Sequence, residues 1–384
     1  MACLNFVNSK GPNANLSHGI ISTSARPTPE GKKMTQKHPL VYLTIALCSM
    51  FLAISSPASG QTDVQPLFAS NSVLDVRIDA PITRLMKERP DEEYLDGTFS
   101  YTDAAGQNNT FDLKLRTRGK FRRQPSTCKF APIRLNFKKG QLEGTDFDGQ
   151  DKLKLVTHCQ TKKTRYEQLV LREYLTYRIL QTLTDHSFGS RLMRITYADS
   201  EGDEPFTRYG FVIEDEDDIG KRLGLTKLNT SKLSYGELDD PHANMVIMYE
   251  YLIGNTDFSL VRGPTENDCC HNASPFSDGT IVKSIPYDFD HAGLIDAPYA
   301  KPNPQFKTNS VRTRVYRGRC SNNEILPDTL SYFLSKQSEI MALVDELTDL
   351  DDKNRKQVVG YLDKFFEEIA NPKRVQRNLI KKCS

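Results

Sequence analysis

The sequence has no Cys-x-x-Cys pair, no His-Glu-x-x-His, no Gly-x-Ser-x-Gly and no glycine pattern of the Walker or Gly-x-Gly-x-x-Gly type. Those absences remove the usual signatures of thiolate zinc sites, zinc hydrolases, serine-hydrolase elbows, P-loops and dinucleotide cradles. An excess of one charge is also missing: 51 Lys and Arg stand against 49 Asp and Glu, a net charge of +2, and the basic residues are spread along the chain. Nothing in that balance points to nucleic acid. No apolar run reaches the ~20 residues of a membrane-spanning helix.

With 384 residues, 38% of them hydrophobic, the chain is long enough to bury a large core. Its first 60 residues read differently from the rest. From Met34 a short polar start, an apolar run over residues 40–54 and a small-residue stretch over 55–60 follow the order of a secretory signal peptide, with cleavage expected between Ala58 and Thr62. This predicts a secreted, periplasmic or cell-envelope protein without a stable membrane span after cleavage. Without Cys3 and Cys48, six cysteines remain, an even number suited to disulfides in an oxidising compartment. Cys128 with Cys159 is the first expected pair, because both end neighbouring strand-like runs. Cys269 or Cys270 with Cys320 is the second.

Residues 66–137 alternate apolar and polar positions between turn-rich breaks, and residues 152–156 supply another such run, which predicts a half-buried antiparallel sheet. Over residues 164–183 the apolar spacing changes to three or four with no Gly or Pro, which predicts a long helix. Residues 192–197 and 209–213 read as a further hairpin, followed by an acidic run. Beyond it, residues 241–252, 329–347, 351–369 and 372–382 read as helices. The pattern is α+β, with a sheet-rich half over 61–215 and a mainly helical half over 216–384, and a cleft between such halves is a common ligand site.

The chemistry-bearing residues concentrate in 244–300. Asp257 follows Gly254-Asn255 at the end of an apolar helix. Asn272 lies fifteen residues on, and Asp288 and Asp290 follow a short apolar strand. In an extended segment Asp288 and Asp290 share a face, and two carboxylates on one face call for a cation or a proton between them. Magnesium, which takes one or two carboxylates together with phosphate oxygens, fits that need. A base, then an amide oxygen, then a metal-binding acid is the order used in protein-kinase phosphoryl transfer. In the sheet-rich half, Arg118, Arg134 and Lys154 are candidate phosphate partners, and Glu167 or Glu173 on the long helix can orient one of them. Each of these residues taken singly also fits an ordinary cap or surface charge.

Taken together, residues 113–119 (LKLRTRG), 129–137 (KFAPIRLNF), 152–156, the 165–183 helix, the 209–215 strand and the GNTD, HN and PYDFD elements resemble the CotH (spore coat protein H) type of secreted or coat-associated kinase, over about residues 110–300. The resemblance implies a two-lobed protein-kinase-like fold, with an N-terminal antiparallel sheet carrying one long helix and a mainly helical C-terminal lobe. It implies ATP and Mg2+ as cofactors and a protein hydroxyl as acceptor. Asp257 would be the catalytic acid, with Asn272 and Asp288, and Asp290 close behind, as metal ligands. This chain departs from the family where Phe258-Ser259 follow Asp257 and where a long loop with two cysteines precedes Asn272. Two other readings stand beside it: a catalytically silent, disulfide-stapled envelope protein that binds a partner, and an enzyme that keeps the metal site but transfers a nucleotidyl group.

Overall fold

Alternation of buried and exposed residues is nearly complete in the strands of the first half. In β3 (Asn108–Thr117), Phe111, Leu113 and Leu115 point inward while Lys114 and Arg116 point outward. The same holds for Ile133, Leu135 and Phe137 of β4 (Ile133–Phe137) and for Leu153 and Leu155 of β5 (Lys152–Val156). The computed structural model describes residues 64–202, 204–265 and 268–384. The signal-peptide reading, with Cys3 and Cys48, lies outside the described residues.

With β1 (Leu74–Ala80), β2 (Leu95–Thr102), β6 (Ser190–Asp199) and β7 (Phe206–Ile213), these strands close into a seven-stranded barrel of order β1-β2-β3-β4-β5-β7-β6. Six of the pairings are antiparallel. The seventh, β1 with β6, is parallel, with Val76 opposite Ile195 and Ile78 opposite Tyr197. This overturns the expected two-lobed kinase-like fold with an N-terminal antiparallel sheet. The physical reason lies in the closing pair, which joins segments more than a hundred residues apart. Local alternation marks a strand as half-buried but carries no information on a distant parallel partner. The hairpin expected over residues 192–197 and 209–213 is β6–β7, part of the barrel wall.

The barrel encloses a core of its own, in which Ile78, Phe99, Leu115, Ile133, Leu153, Met193 and Ile195 are fully buried. A second core lies outside the wall. It is organised by α2 (Arg165–Leu183), which packs on β7 and on α6 (Gln337–Glu346), and by α4 (Asp240–Ile253), α5 (Leu326–Ser335) and α7 (Asp352–Ile369). The expected helix over 329–347 is thus two helices, divided at Lys336. Short α1 (Ile82–Glu88), α3 (Glu216–Leu223) and α8 (Pro372–Asn378) complete the α-helices among the described residues. A small sheet of β8 (Thr226–Lys227), β9 (Ala273–Ser277) and β10 (Val282–Pro286), in the order β10-β9-β8, carries the residues that lead to Asp288.

Among the described residues, three disulfides staple the chain. Cys128–Cys159 is the expected pair, while the other two are Cys269–Cys270 and Cys320–Cys383, which corrects the expected bridge from the 269–270 loop to Cys320. Spacing cannot reveal that the C-terminal tail returns to Cys320, where backbone bonds Cys320 N–Ser384 O (3.2 Å) and Ser384 N–Gly318 O (2.9 Å) seat it. Closing a loop of 63 residues removes denatured-state entropy equivalent to about 4 kcal/mol on the chain-entropy account. Among the described residues no helix is long and apolar enough to cross a membrane.

Candidate functional site

The end of α4 sets the position of Asp257. Gly254 caps the helix in the left-handed conformation (φ 70°), and a Cβ there would run into the Tyr361 hydroxyl. Backbone bonds Gly293 N–Gly254 O (3.1 Å) and Leu294 N–Ile253 O (2.9 Å) hold the turn after Asp290 against this helix end. Residues distant in sequence are therefore placed side by side. The Asn255 side chain accepts the Asp257 amide (2.9 Å), which fixes the loop as it leaves the helix.

Asp257 stands among donors. His271 donates from Nε2 to Oδ1 (2.8 Å), and Asn272 Nδ2 donates to the Asp257 carbonyl (2.7 Å) and to Oδ2 (3.3 Å). His291 Nδ1 lies 3.9 Å from Oδ2. Burial disfavours the Asp257 carboxylate, but His271, His291 and Asn272 outweigh it and hold its pKa below the usual aspartate value. The same bond raises the His271 pKa against the opposing effect of burial, with Asp288 adding to the rise. The carboxylate is thus ionised and oriented, and its side chain remains about 36% exposed. A group in that state can accept or steer a proton.

Asn272 connects this cluster to the next. Its carbonyl accepts the Tyr287 amide (2.9 Å), one residue before Asp288. Asn272 (φ 51°) and Asp288 (φ 60°) both hold left-handed backbone conformations, which are costly for residues with a Cβ and concentrate at functional sites. The Asp288 amide donates to the hydroxyl of Tyr177 on α2 (3.0 Å), and its side chain is about 44% exposed. Among the described residues, Asp288 Oδ2 and Asn272 Oδ1 have no hydrogen-bond partner. These are two hard oxygen donors of the kind magnesium accepts. No group of three His, Cys, Asp or Glu residues able to hold a metal occurs among the described residues.

The cation between Asp288 and Asp290 is a guanidinium. Arg122 reaches Asp288 Oδ1 (3.3 Å) and Asp290 Oδ2 (3.2 Å), and forms a fork to Glu173 of α2 at 3.0 and 3.2 Å. Burial opposes the charge of Arg122, but Glu173, Asp290, Tyr299 and Asp288 outweigh it and raise its pKa. One cation faces three carboxyls, and burial pushes Glu173 up to about 7 in spite of Arg122. Burial also raises Asp290, which Tyr299 and Arg122 occupy. The structure therefore separates the two acids, Asp288 half-exposed and Asp290 enclosed.

Glu173 does orient a cation of the barrel half, though that cation is Arg122 and not Arg118, Arg134 or Lys154. Arg118 and Lys154 line one niche with Arg122, Tyr177, Tyr287 and Asp288. Lys154 stands opposite Arg134 across β4 and β5, on the outer face of the barrel, and its ammonium lies 5.7 Å from the Tyr287 ring centroid. Arg134 approaches Asp215 (3.8 Å). Burial lowers the pKa of Lys154, with Arg118 and Arg134 adding to it and Glu216 and Asp215 opposing. Burial likewise lowers Arg118, with Arg122 and Arg134 adding and Asp288 opposing. Crowded cations with lowered pKa values are stabilised by an anion placed among them. The structure thus ties Asp257 to Asn272, sets Asp288 in one niche with Arg118 and Lys154, leaves Arg134 at its edge, and keeps Glu173 and Asp290 as buried supports.

Arg122, Tyr177, His271, His291 and Tyr299 were not legible as site residues. Arg122 sits in the basic run LRTRGKFRR, which gives no means of telling its members apart, and Tyr177 reads as part of the apolar face of a helix. His271, adjacent to Asn272, was the one with a usable signal.

Beneath the Asp257 loop, Glu250 of α4 is fully buried, and among the described residues neither carboxyl oxygen has a hydrogen-bond partner. Burial pushes its pKa up to about 8, with Asn255 and Arg317 opposing and Asp257 adding. In the unfolded chain this group loses its proton near 4.5, so between about 4.5 and 8 unfolding releases a proton. Its contribution to stability is present below that window and falls by about 1.4 kcal/mol per pH unit across it. Glu250→Gln is expected to remove the fall. Chemical denaturation from pH 5 to pH 8 should show the variant gaining steadily on the parent protein, and a constant difference would show that Glu250 does not titrate in this range.

No protein-family model matches the chain, and neither a curated protein nor a solved structure matches it.

Proposed function

We propose that this is an exported phosphotransferase that uses ATP and Mg2+ to phosphorylate a protein hydroxyl. The observation that carries the reading is the niche in which Asp288 faces Arg118 and Lys154, with an ionised, half-exposed Asp257 joined to the Asp288 turn through Asn272 and the Tyr287 amide. Asp288 and Asn272 would hold magnesium through their unpartnered oxygens, and bound magnesium would neutralise charge on the phosphates. Arg118 and Lys154, with Arg134 behind them, would meet the remaining phosphate oxygens. Asp257 would accept the proton of the acceptor hydroxyl as its oxygen bonds to the γ-phosphorus and the bond to the β,γ-bridging oxygen breaks, releasing ADP. Glu173 and Asp290 act through Arg122, which keeps α2, the barrel and the Asp288 turn in register. The three disulfides support an oxidising destination.

One observation favours the rival reading, a silent binding protein: Arg122 already supplies positive charge to both Asp288 and Asp290. Incubation of the purified protein with ATP labelled at the γ or the α position, with millimolar magnesium and a mixed protein acceptor, separates the readings. Transfer of γ label alone is expected. Transfer of α label would replace phosphoryl by nucleotidyl transfer, and no transfer of either would leave the silent reading.

A further inference from the structure

No step of the proposed transfer uses the two cysteines that precede His271. Cys128–Cys159 and Cys320–Cys383 span 31 and 63 residues, whereas Cys269–Cys270 joins sequence neighbours. A bridge stabilises a fold by restricting the unfolded chain, more so for a longer loop, and one between neighbours encloses nothing to restrict. The relation is reciprocal. A fold protects from reduction the bridges that stabilise it, so opening Cys128–Cys159 or Cys320–Cys383 is opposed by folding in a way that opening Cys269–Cys270 is not. Cys128 and Cys159 are also buried, while Cys269 and Cys270 are half-buried and present surface to a small thiol. Cys320 is exposed as well, so it is loop closure that sets its bridge apart.

The neighbouring pair sits where a local change reaches Asp257. His271 and Asn272 follow it directly, and both bond Asp257, His271 Nε2 to Oδ1 at 2.8 Å and Asn272 Nδ2 to the carbonyl at 2.7 Å. The segment is held against residues 259–260. Ser259 and His271 exchange both backbone bonds (2.8 and 3.1 Å), and Cys270 Sγ lies 3.0 Å from the Leu260 carbonyl oxygen. That oxygen also accepts the Ser284 hydroxyl (2.9 Å). In the disulfide Cys270 Sγ has no hydrogen and meets the oxygen as a neutral sulfur. Once reduced it carries either a proton, which must fit between sulfur and oxygen, or a negative charge, which the oxygen repels. Either form widens the contact, one residue away from the His271–Ser259 pair.

We propose that Cys269–Cys270 is a thiol–disulfide exchange site that takes a dithiol reductant, and that its opening draws His271 and Asn272 away from Asp257. One thiolate of the reductant attacks a sulfur of the pair, the sulfur–sulfur bond breaks, and the departing cysteine sulfur takes a proton. The second thiolate then resolves the mixed disulfide. The reductant leaves as a disulfide, and the protein, having gained two electrons and two protons, holds two thiols. In an oxidising destination the closed form is the resting state. The consequence for phosphate transfer rests on the phosphotransferase reading, whereas the exchange and the movement of His271 do not.

Titration of the purified protein with dithiothreitol tests this. Free thiols are alkylated and located by peptide mass spectrometry, and the His271 ring is followed by NMR in protein labelled at histidine nitrogen. Cys269 and Cys270 are expected to become alkylated first, at a dithiol concentration at least about 10-fold below that for Cys320 and Cys383. The His271 signals, assigned with His271→Gln, should shift in the same step while circular dichroism stays unchanged. γ-Phosphate transfer should fall by about 10-fold or more in that step and return on reoxidation, as misplacement of positioning contacts does. Cys269→Ala with Cys270→Ala should transfer at the reduced rate and be unaffected by dithiol in that range. Another bridge opening first, opening without a shift at His271, opening that unfolds the protein, or loss of transfer on dithiol in the double variant to the parent's extent would overturn the proposal. Ordered opening with the His271 shift, but no transfer in either state, would remove the phosphotransferase reading and leave the exchange site standing.

Discussion

Arg122→Ala is expected to destabilise the protein by about 3–5 kcal/mol, the range measured when one partner of a buried ion pair is removed. Arg122 is almost fully buried and is the shared cation of Glu173, Asp288 and Asp290, of which Glu173 and Asp290 are also buried. Without it two enclosed carboxyls must ionise against burial or take up protons, and the three segments that Arg122 joins lose their common anchor. The alternative explanation, that loss of side-chain volume alone accounts for the effect, is tested by Arg122→Met, which keeps much of the apolar stem. If charge is the cause, Arg122→Met remains strongly destabilised, and adding Glu173→Gln recovers part of the loss. The coupling in that double-mutant cycle, read from denaturant midpoints, is expected to be about 1–3 kcal/mol. A methionine variant as stable as the parent would mean that the hub is a passive filler.

Asp257→Asn is expected to reduce γ-phosphate transfer by a factor of about 10²–10⁴, the usual contribution of a positioned general base, with little change in melting temperature. The substitution keeps the shape and the oxygen that accepts from His271, so the loop has no reason to move. It removes the charge, and with it the direct charge attraction by which Asp257 adds to the raised His271 pKa, while the hydrogen bond, the largest cause, keeps an acceptor. An NMR titration of His271 should accordingly show its pKa falling towards the ordinary histidine value, which a merely structural Asp257 would also produce. The rate loss distinguishes the two cases. A variant that transfers phosphate at the parent rate would exclude Asp257 as the base.

Local pattern made some of this arrangement legible and left the rest hidden. Helix α2 and the alternating strands β3, β4 and β5 follow directly from residue spacing, because each buries one face. Asp257 and Asn272 stand out in the sequence by their order, a base candidate and then a metal-ligand candidate, but that two hydrogen bonds join them shows only in the fold. Barrel closure was hidden because the parallel β1–β6 pair depends on partners far apart in sequence, and an antiparallel open sheet gives the same alternation. Arg122 was hidden for a different reason. A run of basic residues becomes distinguishable only when folding brings Glu173 from one helix and Asp290 from a distant turn to the same guanidinium. The Cys320–Cys383 bridge was hidden likewise, since cysteine spacing permits several pairings and only the return of the C-terminal tail selects one.

Thermal unfolding with and without ATP tests whether Asp288 and its neighbours form the proposed magnesium-dependent nucleotide site. Ligand that binds only the folded protein stabilises it by RT ln(1 + [L]/Kd), so the melting temperature rises with ligand concentration. The account predicts that ATP with millimolar magnesium stabilises the protein, that ATP with chelator or magnesium alone does so much less, and that Asp288→Ala abolishes the magnesium-dependent part. An unchanged melting temperature in the parent protein at saturating ATP and magnesium, or a shift that Asp288→Ala retains in full, would contradict it.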